Sequence, residues 1–198
     1  MPVSADGHAR VVFGRDLPGD DELHLYGDVS DGKRTLELGV SAACNAIAFA
    51  VAGAKSLAVD PDSARIAKLR EKAVEADVRV ECHIGELADL GFATSGSVEV
   101  VLANGTLEVV EDLGRLLRQV HRVLKPSRSF VIRLRHPFAD VFQGEIATPY
   151  GSGTRTVEEW FTALGRANFR VDVMHELGVT ERSPVPTTLL VRARKEGS

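Results

Sequence analysis

A doubly wound α/β fold is predicted by three observations in the 198-residue sequence: a Rossmann-like sheet of seven mostly parallel strands, the C-terminal one antiparallel, with helices on both faces. From Lys33 onwards, short β-branched runs alternate with longer helical ones, the pattern of strands joined by crossover helices. One run, SVEVVLANG (97–105), is apolar almost throughout, as a central strand covered on both faces must be. The chain then closes on two successive strand-like runs, FRVDVMHEL and VPTTLLVRAR, which supply the final strand pair.

The elements follow in order. RTLEL (34–38) is the first strand, and SAACNAIAFAVAGA (41–54) a helix whose Gly53 sits where a C-terminal cap belongs. SLAVD (56–60) is the second strand. PDSARIAKLREKAVEA (61–76) reads as an amphipathic helix, with Pro61 in its first turn and Ala64, Ile66, Ala67, Leu69, Ala73 and Val74 on the buried side. VRVECHI (78–84) is the third strand, and the fourth (97–105) ends on the turn pair Asn104-Gly105. EDLGRLLRQVHRVL (111–124) places Leu113, Leu116, Leu117, Val120, Val123 and Leu124 along one helical face, closed by Lys125 and Pro126. SFVIRLRHP (129–137) is the fifth strand. Residues 139–154 are rich in Gly, Thr, Pro and aromatics without periodicity, which predicts a long loop or lid. The last helix, TVEEWFTALGRA, opens on Thr156 and Glu159 in capping-box spacing.

The length predicts a single domain over 1–198. Its parts are an N-terminal cap segment (1–32), a core (33–138), a lid loop (139–155) and a C-terminal helix with a strand pair (156–198). The polar stretch 7–21 is expected to order only against a ligand. A formal net charge of −4 gives nucleic acid no electrostatic reason to bind. Two cysteines, Cys44 and Cys82, are too few for a disulfide scaffold or a closed zinc site and read as packing residues in a reducing compartment. With no basic-then-apolar start and no apolar run near 20 residues, the expectation is a cytoplasmic protein with no membrane partner.

Ligands of open parallel sheets bind beyond the carboxyl ends of the strands. Here these are residues 37–41, Asp60, 85–87 and 104–108. Gly39 permits a sharp turn, and Asp60 ends the second strand where a carboxylate can grip two ribose hydroxyls. Nicotinamide-dinucleotide proteins and S-adenosylmethionine methyltransferases share these two features. Of the G-x-G-x-x-G that a pyrophosphate requires, only Gly39 is present, so a nicotinamide-dependent reductase is a weak reading. Glu37, two residues before the glycine, favours a cationic ligand.

Six stretches, taken in order, carry a resemblance over most of the chain: LYGDVSDGKRTLELGVSAACNAIAFA, LAVDPDSARIAKLR, HIGELADL, VEVVLANGTLEVVEDLGRLLRQVHRVLKP, FVIRLRHPF and TVEEWFTALGRANFRVD. Together they resemble a class I S-adenosylmethionine-dependent methyltransferase of the small actinobacterial-type domain family, whose first motif runs roughly LELGCGAAQN. The resemblance implies S-adenosylmethionine as cofactor. It implies that Glu37, Gly39 and Ser41 line the methionine end, Asp60 the ribose, Glu86 and Leu87 the adenine, and Asn104, Gly105 and Leu107 the floor, with Pro61 also among the cofactor-binding residues. The sequence departs from the family pattern at Val40-Ser41 for Cys-Gly, at Glu86 for Asp and at Ser127-Arg128 for Gly-Gly. A side chain at Ser41 is expected to narrow the approach to the turn.

Candidate bases for the acceptor's proton are His136, at the end of the fifth strand, and Glu108, after the fourth. The plainer readings are a histidine that hydrogen-bonds the lid and a solvated loop acid. Likewise Glu37 has the plain reading of a strand-end carboxylate, and Asp60 that of a helix N-cap. Phe142 and Tyr150 are the loop aromatics placed to face an acceptor, whereas Trp160 reads as core. No G-x-S-x-G and no zinc spacing is present. Two functions follow: methyl transfer to an O, N or C nucleophile of a small molecule, or a non-catalytic binding or regulatory domain with weakened cofactor binding. The acceptor pocket is expected from 10–21, the lid and the last helix, with a homodimer as a second way of closing it.

Overall fold

A computed structural model of the chain describes residues 10–108, 110–142, 148–181 and 183–197. Seven strands form one sheet in the order β3-β2-β1-β4-β5-β7-β6: β1 (Arg34–Leu38), β2 (Lys55–Asp60), β3 (Val80–Ile84), β4 (Val98–Asn104), β5 (Leu124–Arg135), β6 (Phe169–Leu177) and β7 (Thr188–Lys195). The first five run parallel, and β7 inserts antiparallel between β5 and β6, as the final strand pair predicts. Strand order reverses between β1 and β4, so a crevice opens at their carboxyl ends.

Alternation along the strands divides the core. Phe130, Ile132 and Leu134 of β5 face α4 (Leu113–Val123) and α6 (Val157–Arg166), which contribute Leu116, Leu117, Val120, Trp160 and Leu164. Val131 and Leu190 point to the other face, onto Phe49 of α2 (Asn45–Val51) and an N-terminal segment. That segment corrects one expectation. Residues 7–21 read as polar and ligand-dependent, but within the described part Val11 is fully buried and Phe13 nearly so. Between them, Val12 is strapped down: its N–H donates to Asn45 Oδ1, and its carbonyl accepts from Asn45 Nδ2 and Asn104 Nδ2, each at 3.0 Å. The strap leads into α1 (Asp20–Leu23).

Three further boundaries differ. Helix α2 starts at Asn45 rather than 41, because Cys44 takes a left-handed conformation (φ 52°) and the amides before it are bonded elsewhere. Strand β5 begins at Leu124, directly out of α4, and pairs with Val98 before a register shift near Ser127 (φ 62°). It ends at Arg135, where Pro137 opens a five-residue helix, α5 (Pro137–Val141), at the start of what reads as lid. Residues 143–147 of that lid, and 1–9 of the cap segment, lie outside the described residues. On α3 (Ser63–Glu75) the buried stripe is narrower than expected: Ile66, Leu69 and Ala73 are buried, whereas Ala64, Ala67 and Val74 are exposed.

The capping box of α6 forms as predicted, with Thr156 Oγ1 accepting from Glu159 N–H and Glu159 Oε2 accepting from Thr156 N–H. Across β6 and β7, Asp172 accepts from both Arg192 and Arg194. Burial pushes its carboxyl up, but the two guanidinium groups outweigh that and hold it below the usual carboxylate range. Among the described residues no helix is long and apolar enough to cross a membrane.

Candidate cofactor site

At the reversal of strand order lies a cleft of about 370 Å³, lined by Val40, Ser41, Ala42 and Cys44 of the β1–α2 turn, Asn104, Gly105 and Thr106 after β4, and Arg65 and Lys68 of α3. The turn is built around Gly39. Its φ is +79°, and a Cβ there would stand 2.5 Å from Thr106 Cβ. Thr106 holds this position by donating its hydroxyl to Leu38 C=O at 2.6 Å, while Gly39 N–H donates to Val59 C=O at 2.8 Å. Gly39 is therefore needed for its backbone angle and for the close approach of Thr106.

Beneath the turn sits Glu37, fully buried. Its Oε1 accepts from the N–H (3.2 Å) and hydroxyl (2.8 Å) of Ser41, and its Oε2 from Ala46 N–H (2.7 Å). Burial pushes the carboxyl up, and these bonds pull it only part of the way back. Nearby, the buried Tyr26 hydroxyl has no hydrogen-bond partner among the described residues. Burial, then the charges of Asp20 and Glu37, pushes its pKa well above the ordinary phenol value. Glu37 thus orders the turn from below and does not line the cleft. The Ser41 hydroxyl, expected to narrow the approach, is engaged downward with Glu37.

Asp60 ends β2 nearly fully buried. Its Oδ2 accepts from Val40 N–H (2.7 Å) and its Oδ1 from Asp62 N–H (2.8 Å), with the exposed Arg65 guanidinium 3.6 Å away. The N-cap of α3 is Asp62, which accepts from Ala64 and Arg65, so Asp60 does not act as that cap. One lone pair remains on each Asp60 oxygen.

Of the other residues expected here, Asn104 and Gly105 line the cleft, and Asn104 also holds the Val12 strap. Leu107 is wholly in the core and Leu87 almost so, while Pro61 and Glu86 are exposed. Ala42, Cys44, Arg65 and Lys68 were not anticipated as lining. The signal for the last two was their i, i+3 spacing on α3, one turn past Asp60.

His136 is buried and caps α5: Nδ1 accepts from Phe138 N–H at 3.1 Å, which leaves the proton on Nε2 to donate to Glu176 Oε1 at 2.8 Å. Both ring nitrogens are engaged. Glu108 Oε1 accepts from Arg135 N–H at 2.9 Å. Tyr150 accepts from Val157 N–H through its hydroxyl at 3.1 Å, Phe142 follows α5, and Trp160 is core. No cluster of metal-ligating side chains occurs among the described residues.

S-adenosylmethionine, implied by the sequence resemblance, fits this arrangement. The cleft volume lies within the usual range for small-molecule sites, about 300–1,000 Å³; Asp60, buried at the end of β2, is not among the residues that line it, although each of its oxygens keeps one acceptor position. Comparison with known proteins agrees. The methyltransferase domain family matches residues 36–132, the segment that contains the turn, Asp60 and β4. No curated protein matches the chain in sequence. Among solved structures, an S-adenosylmethionine-dependent methyltransferase from Mesorhizobium loti is similar at 23% identity and TM-score 0.72, covering 87% of this chain and 95% of that one. A putative S-adenosylmethionine-dependent methyltransferase from Listeria monocytogenes is similar at 18% identity and TM-score 0.72, covering 89% and 96%. The geranyl diphosphate C-methyltransferase of Streptomyces coelicolor A3(2), in complex with Mg2+, geranyl diphosphate and S-adenosylhomocysteine, is similar at 13% identity and TM-score 0.71, covering 89% and 78%. Residues 36–132 thus match the methyltransferase domain family, and the chain has the fold of these S-adenosylmethionine-dependent methyltransferases.

Proposed function

We propose that the cleft between β1 and β4 binds S-adenosylmethionine and that the chain directs its methyl group to a nucleophilic O, N or C atom of a small molecule. The observation that carries this reading is the Gly39 turn: pinned by Glu37 from below and Thr106 from the side, it forms one wall of a cleft at the reversal of strand order. Bound there, the cofactor supplies an electrophilic methyl on a sulfonium.

The chain's own part is positioning. Asp60 offers its two remaining acceptor positions to the ribose, with Pro61 beside it. The backbone of the turn and of Asn104-Gly105 receives the methionine end, and Glu86 and Leu87 flank the adenine side. Holding acceptor and methyl in line in a water-poor cleft accounts for most of the rate such a site can provide. His136 spends both nitrogens on the α5 cap and Glu176, whereas Glu108 spends one carboxylate oxygen on the end of β5. We therefore assign His136 as a positioning residue and keep Glu108 as the candidate base. Where the acceptor is already deprotonated, no base is needed. The alternative of a domain with weakened cofactor binding rested on Ser41, whose hydroxyl is bonded to Glu37.

His136→Ala is expected to cost about 1 kcal/mol as a lost helix cap, or roughly 2–4 °C in melting temperature. Binding of S-adenosylhomocysteine, read by calorimetry, should be unchanged. Unchanged stability with lost binding would place His136 back among the contacts. The function itself is tested by incubating the protein with methyl-labelled S-adenosylmethionine and a panel of small phenols, amines and carboxylic acids. Label transferred to an acceptor supports the proposal, whereas a protein that binds the cofactor but labels none of them gives it no support.

A further inference from the structure

Arg133 carries a charge that the described residues leave unanswered. It lies near the carboxyl end of β5, in register with Asn104 on β4 and Leu190 on β7, in the middle of the sheet. Alternation with Val131 puts it on the face covered by the Val11–Phe13 strap. Its Nε is buried with no hydrogen-bond partner among the described residues, and Nη2 makes one long contact, 3.5 Å, to Thr188 Oγ1. Nη1 rests against Gly105, 2.8 Å from where a Cβ would be. No carboxylate among the described residues pairs with it.

Arg34 at the start of β1 likewise has a buried Nε without a partner among the described residues, but lies at the opposite end of the sheet from the cleft, and other arginines are paired. Arg192 and Arg194 share Asp172, and Arg122 donates to the carbonyls of Leu90 and Ala93. A half-buried guanidinium without an acid or carbonyl is costly in a folded protein and persists where a ligand completes it. Gly105 is a wall of the cleft, so the guanidinium lies against a residue that lines it. A planar fork suits a carboxylate or phosphate, which it can hold through two parallel bonds.

We propose that Arg133 anchors an oxyanion, a carboxylate or phosphate, on the methyl acceptor, so that the acceptor class is a small organic acid or phosphate ester. This rests on the methyltransferase reading, and the test separates the two. Wild type, Arg133→Met and Arg133→Lys are titrated with benzoate and phenyl phosphate, with and without saturating S-adenosylhomocysteine, and separately with S-adenosylhomocysteine and methylthioadenosine, which lacks the amino-acid end.

The expected result is that wild type binds at least one of the two anions and that Arg133→Met weakens that binding about tenfold or more. Arg133→Lys should retain part of it, with affinity for S-adenosylhomocysteine unchanged in both variants. Arg133→Met should melt no lower than wild type, because it removes an unpaired charge; a purely structural arginine would show a marked drop, and that result overturns the proposal. Loss of S-adenosylhomocysteine binding in Arg133→Met with methylthioadenosine binding intact would assign the anchor to the cofactor's carboxylate and likewise overturn it. Absence of anion binding by wild type overturns it too, while leaving the cofactor reading standing. Arg133-dependent anion binding by a protein that ignores S-adenosylhomocysteine would sink the methyltransferase reading alone.

Discussion

Glu37→Ala is expected to abolish detectable cofactor binding and to destabilise the fold. The substitution removes the acceptor of three hydrogen bonds. Ala46 N–H, buried, is left unsatisfied, while the two Ser41 donors reach water. An orphaned buried donor costs about 1–3 kcal/mol, and the vacated volume adds to it, so a total of about 2–4 kcal/mol is expected. Because the lost bonds hold residues 41–46 in their turn, the cleft loses its shape along with the stability. Thermal denaturation and calorimetry on the same sample check both parts.

Glu37→Gln isolates the charge. Burial raises the native carboxyl above its unfolded value, so protonated Glu37 is favoured by folding. Its contribution is fully present below the unfolded value, about 4.3, and is lost as pH rises through the raised native value. Wild type should therefore lose stability relative to Glu37→Gln as pH rises from the unfolded value through the raised native value. An opposite slope would mean that the three hydrogen bonds outweigh burial.

Gly39→Ala is the second large effect. Left-handed backbone costs a residue with a Cβ about 1–2 kcal/mol, and a Cβ 2.5 Å from Thr106 Cβ cannot be accommodated without moving the β4 turn. Together about 2–4 kcal/mol is expected, or roughly 5–15 °C in melting temperature, with loss of cofactor binding as Thr106 is pushed from Leu38. Adding Thr106→Gly should recover the steric part and leave the backbone part. If Gly39→Ala alone melts like wild type, the turn does not require its glycine.

The sheet was legible because parallel strands and their helices differ in period, and the apolar run of β4 marked the centre. What was not legible depended on contacts between distant residues. Ser41 to Cys44 read as helix because they are small, but Glu37 draws Ser41 and Ala46 onto its carboxylate and the helix starts only at Asn45. Val11 and Phe13 looked like strays in a polar stretch, yet their i, i+2 spacing was the signal that both face one core. Lys125-Pro126 read as punctuation, whereas β5 runs through them and takes up the irregularity at Ser127.

The glycine turn, the strand-end aspartate and the Asn104-Gly105 turn could be placed at the carboxyl ends of their strands from the sequence, since those positions follow from topology. The inward aim of Glu37, the double engagement of His136 and the absence of a charge partner for Arg133 among the described residues could not be read from the sequence. Each depends on which partner another part of the chain brings near. Arg65 and Lys68 were overlooked for a simpler reason: the helix was searched for its buried stripe, and the cleft is lined by its exposed one.

The central claim is that the cleft at the Gly39 turn holds S-adenosylmethionine. Calorimetric titration of the purified protein with S-adenosylmethionine, S-adenosylhomocysteine and NADH tests it most directly. Saturable binding of the first two in the micromolar range, with none of NADH and none of any by Glu37→Ala, is the predicted result. A folded wild-type protein that binds neither S-adenosyl compound would contradict the account.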